Sequence, residues 1–256
     1  MTSVGVMLPR HVPPSHIAAV ARTSEQAGFD EVWVVEDCFY TGGLTTAAIA
    51  LSATERITVG IGILPAVVRN PAFTAMEAAT LAGAFPGRVH LGIGHGVNDW
   101  MEQVGARPTS WLASLEHTTT AVRHLLSGHR VSMHNDYVSL DEVQLEFPPA
   151  EPPLISLGVR GPKSIALAGR VADGLILAEP TPVEYIAAAR KNLDVNTSLV
   201  DSPARARLTA YTWAGRGRGR GTSPDSHRSD SIRQCWGSPC PTGRGRARSR
   251  ERRTSR

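Results

Sequence analysis

Cysteine is scarce in this chain: the 256 residues include three, Cys38, Cys235 and Cys240. That is too few for a disulfide framework, and a reducing cytoplasm is the compartment expected. No run reaches the ~18–20 apolar residues of a membrane-spanning helix, so no membrane partner is expected. The N-terminus, Met1-Thr2-Ser3-Val4-Gly5, lacks the basic flank and apolar block of a signal peptide. No GxGxxG follows the first strand candidate, which argues against a dinucleotide-binding Rossmann domain, and no GxxxxGK[ST] loop occurs. A dominant short period is also missing. With 41% hydrophobic residues, 24 glycines and 18 prolines, the collagen-like, coiled-coil and wholly disordered classes are excluded.

Short apolar runs alternate with longer amphipathic segments, the rhythm of repeated βα units. Seven strand candidates stand out: Val4–Leu8, Glu31–Val35, Thr58–Leu64, Val89–Ile93, Leu154–Leu157, Gly174–Leu177 and Leu208–Trp213. Most are continuously apolar, as expected of parallel strands covered on both faces. Helix candidates lie between them. Ser15–Ala27 stops at Gly28, Thr45–Ala53 is rich in alanine, and Pro71–Ala82 opens with Asn70 as N-cap. Ser110–Leu126, Pro162–Gly169 and Pro182–Asn192 complete the set. An inserted β-hairpin is expected over residues 130–147, turning at Asn135-Asp136 and serving as cover or contact surface.

The fold class expected is α/β, a TIM (β/α)8-type barrel over residues 1–213 that is incomplete at its C-terminus. Polar residues decide for a barrel over a doubly wound sheet. Arg10-His11, Glu36-Asp37, Arg69-Asn70, His95, Arg160 and Glu179 all follow the C-terminal ends of strands, where barrel active sites form. Only seven strands precede a change of composition. Two unpaired edges would then remain, giving marginal stability or aggregation unless a partner chain, such as a second copy in a homodimer, covers the gap.

The net charge of +4 is unevenly placed. Residues 214–256 hold 12 Arg, no Lys, two Asp and one Glu, a balance of +9. Residues 1–213 hold 15 Lys+Arg against 20 Asp+Glu, a balance of −5. The body is therefore acidic, and its charge does not make it a nucleic-acid binder. The segment from Gly215 onward has Ile232 and Trp236 as its large apolar residues and is expected to be a disordered tail. Its Arg-Gly repeats allow one non-catalytic alternative, a barrel scaffold with a basic nucleic-acid-binding arm. Trp236 alone accompanies the arginines, so nucleic acid is not the expected partner. The favoured account of the tail is out-of-frame translation of a GC-rich gene, which the other two reading frames of the coding DNA would test.

Three stretches carry a family likeness: "GFDEVWVVED" (28–37), "ITVGIGILPAVVRNPAFTAMEAATLAGAFPGRVHLGIGHG" (57–96) and "LGVRGPKSIALAGRVADGLIL" (157–177). In order and spacing they resemble the luciferase-like monooxygenase superfamily. The closer likeness is to its deazaflavin branch, which uses coenzyme F-420, and to methylenetetrahydromethanopterin reductase-like enzymes. It extends over residues 3–213. The resemblance implies an oxidoreductase transferring a hydride between coenzyme F-420 and a small organic substrate. An FMN-dependent monooxygenase is the alternative.

Four places could carry the chemistry. In Gly60-Ile61-Gly62-Ile63-Leu64 the glycines let a barrel strand bend. The resemblance implies a bulge at Gly62-Ile63, often with a non-prolyl cis peptide, supporting the ring of the cofactor. In Gly92-Ile93-Gly94-His95-Gly96 the glycines admit a ligand close to the backbone. The resemblance makes His95 and Gly96 cofactor contacts. Val97 stands where a sugar-phosphate dehydrogenase of the branch carries glutamate, so a sugar phosphate is not the expected substrate. The loop Gly158-Val159-Arg160-Gly161-Pro162-Lys163-Ser164 leads into a helix N-terminus that suits a phosphate. Relatives place the cofactor phosphate about there, near Gly158, Arg160, Gly161, Pro162 and Lys163.

The fourth place is Glu36-Asp37, which with His11 supplies the acid–base candidates. Deazaflavin relatives often carry histidine where Asp37 stands. Adjacent carboxylates can do acid–base work if one pKa is raised. Cys38 is expected to be a packed residue and not a nucleophile. Asn70 should cap the third helix, while Arg69 could cap it too or meet an anionic cofactor tail. No metal site is expected.

Overall fold

The computed structural model describes residues 2–178, 180–197 and 206–212. The strands in chain order are β1 (Gly5–Met7), β2 (Glu31–Val34), β3 (Thr58–Pro65), β4 (Val89–Gly94), β5 (Val131–His134), β6 (Ser139–Val143), β7 (Leu154–Gly158), β8 (Gly174–Leu177) and β9 (Arg207–Ala210). The helices are α1 (Ile17–Gln26), α2 (Gly43–Ser52), α3 (Pro71–Ala84), α4 (Asn98–Gln103), α5 (Trp111–Leu126), α6 (Pro162–Val171) and α7 (Val183–Asn196). Seven strands form one sheet in the order β1-β2-β3-β4-β7-β8-β9, parallel at every pairing, with β1 and β9 at its edges. β5 and β6 pair antiparallel as the expected hairpin. The α/β barrel-like reading therefore holds.

Local signals placed most boundaries. Asn70 accepts a hydrogen bond from the Ala72 N–H at 2.9 Å, and Pro71 opens α3 with its φ already helical. Ser110 caps α5 through the Ala113 N–H. Gly28, at φ +83°, turns the chain out of α1 in the left-handed region that stops helices. At the hairpin turn, the Asn135 carboxamide oxygen accepts from the N–H groups of Tyr137 and Val138.

The sheet's two faces differ in chemistry, because successive side chains alternate. One face presents Val32, Val34, Val59, Ile61, Leu91, Ile93, Leu157 and Leu175 to the helices, where Ala47, Leu51, Ala78, Leu115, Val122 and Leu167 meet them in the apolar core. The other face is polar and aromatic. Glu31, Trp33, His90 and Ser156 are buried on it, although the runs read as apolar throughout. Trp33 of β2 reaches His90 of β4 across β3, with ring centroids 5.0 Å apart. It can do so because Gly60 lies between them. A Cβ there would come 2.5 Å from the indole.

Across this inner face Glu31 accepts from the Trp33 indole N–H at 2.8 Å and pairs with Arg207 of β9. β2 and β9 are not neighbours in the sheet, so this contact marks the curl that brings its far strand back toward the second. Two details depart from expectation. The helix α4 was not legible, since Met101 is its only buried residue. The last strand runs Arg207–Ala210, and Trp213 lies outside the described residues, as do Glu179 and the segment from residue 214.

His90 makes acid sensitivity a prediction of this interior. Its Nε2 lies 2.8 Å from the Ser156 hydroxyl. Burial, with Arg207 adding to it, pushes the imidazole down to about 3. The unfolded chain takes up that proton below about pH 6.5 and the folded chain does not. Stability is therefore complete above pH 6.5 and falls as pH drops toward 3, by on the order of 4 kcal/mol at full extent. His90→Gln should flatten the acid limb of a plot of urea midpoint against pH. An acid limb of unchanged steepness would contradict it.

Candidate active site

Glu36, Asp37, Arg69 and His95 all follow the C-terminal ends of β2, β3 and β4. After β2, Glu36 is held by both oxygens. Its Oε1 pairs with Arg69 Nη1, and its Oε2 accepts from Arg69 Nη2 at 2.8 Å and from the Gly43 N–H at 2.6 Å. Glu36 thus caps α2 and fixes the loop after β3 to the loop after β2. Arg69 is the partner in that pair, and Asn70 does the capping of α3. Both Glu36 oxygens are thus engaged, by Arg69 and by the Gly43 N–H.

Asp37 is different. Its carboxylate meets a single charged partner, Arg10 Nη1, at 3.3 Å, and burial pushes its pKa up against the pull of that guanidinium. Arg10 also lies over the Tyr40 ring, 5.1 Å from the centroid. His11, one residue on, is exposed in the turn and does not line the cleft described below. Cys38 is half-buried, and its thiol is pushed up by burial and by the charges of Glu36 and Asp37. It is kept protonated, as expected of a packed residue.

β3 carries an irregularity between Ile61 and Leu64, and the Gly62–Ile63 peptide is cis, as is Cys38–Phe39. The Ile63 side chain turns inward over three glycines. A Cβ on Gly92, Gly94 or Gly158 would run into it. Beneath Gly62 sits the Tyr211 hydroxyl, buried and without a hydrogen-bond partner among the described residues, where a Cβ on Gly62 would collide with it. Tyr211 was not singled out in the sequence, and only its alternation with Arg207 and Thr209 could have pointed inward.

His95 follows β4, and its Nε2 lies 3.2 Å from the Ser164 hydroxyl in the first turn of α6. Trp111 packs edge-on against the imidazole, and burial lowers its pKa. The second and third expected places are therefore one site. Gly96, at φ +77°, lets the chain turn against Met101 and Pro65. Gly161, at φ +74°, precedes Pro162 at the start of α6, and its N–H donates to the Tyr185 hydroxyl at 3.3 Å. Arg160 and Lys163 are exposed beside this N-terminus, with the Arg160 guanidinium 5.4 Å from the Tyr185 ring centroid. A helix start with two cations beside it suits a phosphate.

A cleft of about 590 Å³ opens among Glu36–Gly42, Val67–Arg69 and the residues Val104 and Ala106. Val104 and Ala106 come from the turn after the unexpected α4. Among the described residues no cluster of side chains is arranged to hold a metal ion. No described helix is long and apolar enough to cross a membrane.

Known proteins place this arrangement. The chain is 30% identical over 200 residues to a 5,10-methylenetetrahydromethanopterin reductase of Methanolobus tindarius, covering 76% of this chain and 61% of that protein. It is 32% identical over 180 residues to an F-420-dependent glucose-6-phosphate dehydrogenase of Nakamurella multipartita, covering 64% of this chain and 52% of the relative. The chain thus spans a little over half the length of the curated relatives it matches. Among solved structures, the F-420-dependent tetrahydromethanopterin reductase of Methanopyrus kandleri shares the fold at a TM-score of 0.73 and 21% identity, over 82% of this chain and 65% of that one. A monooxygenase of Streptomyces bottropensis does so at 0.72 and 20%, over 82% and 70%. The family model for luciferase-like monooxygenases matches residues 1–212, and the chain belongs to that family.

Proposed function

We propose that this chain binds the deazaflavin coenzyme F-420 and transfers a hydride between it and a small organic substrate. The observation that carries the reading is the His95–Ser164 contact, which joins the glycine-lined β4 end to the α6 N-terminus beside the β3 bulge. That supplies an anion site and an apolar ridge at one mouth. Relatives named as F-420-dependent favour the deazaflavin over FMN.

The residues present fit such a group. Gly161, Pro162, Lys163 and Arg160, with the main chain after Gly158, would hold a phosphate at the α6 start. Gly62, Ile63, His95 and Gly96 would face the ring system. When bound, the coenzyme supplies the hydride donor or acceptor centre. The protein's own work is positioning and exclusion of water. Ile63 is fixed by the glycines beneath it, Glu36 and Arg69 lock two loops together, and His95 is held by Ser164. Asp37, whose pKa burial raises against the pull of Arg10, is the acid–base candidate in the cleft lining.

Titrating the purified chain with coenzyme F-420 and, separately, with FMN tests this through quenching of each cofactor's fluorescence. F-420 should saturate at the lower concentration, and Lys163→Ala should weaken it about tenfold, the loss of one charge-assisted contact. Tighter binding of FMN, or binding of neither, overturns the reading.

A further inference from the structure

Resting on this mouth as the substrate site, we infer that the cleft beside Glu36 takes a neutral, largely apolar organic molecule, selected by Phe39, Tyr40, Val68 and Val104. Charge is the first ground. Arg69, the cation in the lining, is held by both oxygens of Glu36, and Arg10 beside it pairs with Asp37. An anionic substrate would have to displace a carboxylate from its guanidinium and then sit beside that carboxylate. Either step costs more than a cleft of this kind returns.

The lip is the second ground. Phe39 is 68% exposed, Tyr40 54%, Val104 47% and Val68 39%, all around one opening. Large apolar side chains scattered singly over a surface need no explanation, but four on the rim of one cleft mark a binding surface. The volume, about 590 Å³, lies in the range of small-molecule sites and suits one compact molecule. The third ground is the scarcity of hydroxyl-matching groups. Beyond the paired charges and the raised Cys38 thiol, the lining offers Thr41 and the Tyr40 hydroxyl, few partners for a sugar with many hydroxyls. Asp37, in the lining, is the group placed to accept a hydrogen bond from a single alcohol on an otherwise apolar ligand.

Saturation-transfer NMR on the cofactor-free chain tests the assignment, with 1-phenylethanol as the neutral probe and glucose 6-phosphate as the anionic one. The alcohol should bind and the phosphate should not. The doubly substituted Phe39→Ser, Val68→Asp chain, altered only at exposed positions, should keep its far-ultraviolet circular dichroism and lose at least tenfold in affinity for the alcohol. Binding of glucose 6-phosphate as tight as that of the alcohol overturns the inference. So does an undiminished alcohol affinity in the variant, or binding of neither probe. A dimer of the parent chain that dissociates in the variant would also overturn it, by giving the lip to a second copy. F-420 titration of the parent chain separates the two levels. If the alcohol binds and the coenzyme does not, the proposed function fails while the assignment of the cleft stands.

Discussion

Replacing Arg207 with alanine should destabilise the fold by about 3 kcal/mol. The Glu31 side chain is 7% exposed and faces the Arg207 guanidinium and the Trp33 indole N–H. Without Arg207 a carboxylate would remain in the interior with one neutral donor, and removing one partner of a buried pair costs about 3–5 kcal/mol. Arg207 is itself 32% exposed, which moves the expected value to the lower end of that range. The companion variant separates charge from packing. In Glu31→Gln combined with Arg207→Ala, the carboxamide oxygen still accepts from Trp33 but no charge is stranded. The double variant should therefore be more stable than Arg207→Ala alone. Urea midpoints of the three chains decide it, and equal midpoints for single and double variants would show that Glu31 is not stranded. Hydrogen exchange adds a spatial check. Among the described residues β9 pairs with β8 alone, so protection over Leu208–Ala210 should fall further than in β3.

This contact also shows what could be read from the sequence and what could not. The seven parallel strands were legible because each sends Val, Ile or Leu to the helix layer, and the helices because Gly28 and Asn70-Pro71 announce their ends by local rules. The inner face was not. Glu31, Trp33 and His90 sit within runs whose other members are apolar, and nothing local says that a glutamate meets an arginine 176 positions further on. The same holds at the mouth. Asp37 and His95 could be named from their places after strands, but the pairing of Glu36 with Arg69 and of His95 with Ser164 depends on loops brought together by the fold. His11 follows a strand as the others do, yet it is exposed in the turn after β1 and is not in the cleft lining. The cleft itself was hidden because one wall comes from the turn after α4, a helix too short to leave a periodic signal.

The second large effect should come from adding one methyl group at Gly92. A Cβ there would collide with the Ile61 carbonyl oxygen and would stand 2.7 Å from Ile176 Cδ1. The first of these neighbours is main chain of the adjacent strand, which can move only by breaking the ladder between β3 and β4. Overpacking a core costs about 1–3 kcal/mol, and with a rigid neighbour Gly92→Ala belongs at the top of that range. Gly62→Ala makes the contrast. Its Cβ collides with the Tyr211 hydroxyl, the far end of a side chain and a group without a hydrogen-bond partner among the described residues. Tyr211→Phe removes that oxygen and leaves no donor or acceptor stranded, so by itself it should be close to neutral. Combined with Gly62→Ala it should recover at least half of the stability that the alanine removes. Guanidinium midpoints of Gly62→Ala, Tyr211→Phe and the double variant measure the coupling directly. Additive losses would mean that the hydroxyl does not press on the bulge. A recovered midpoint accompanied by recovered F-420 affinity would tie the same bulge to the cofactor, since Ile63, seated over Gly92 and Gly158, moves with Gly62.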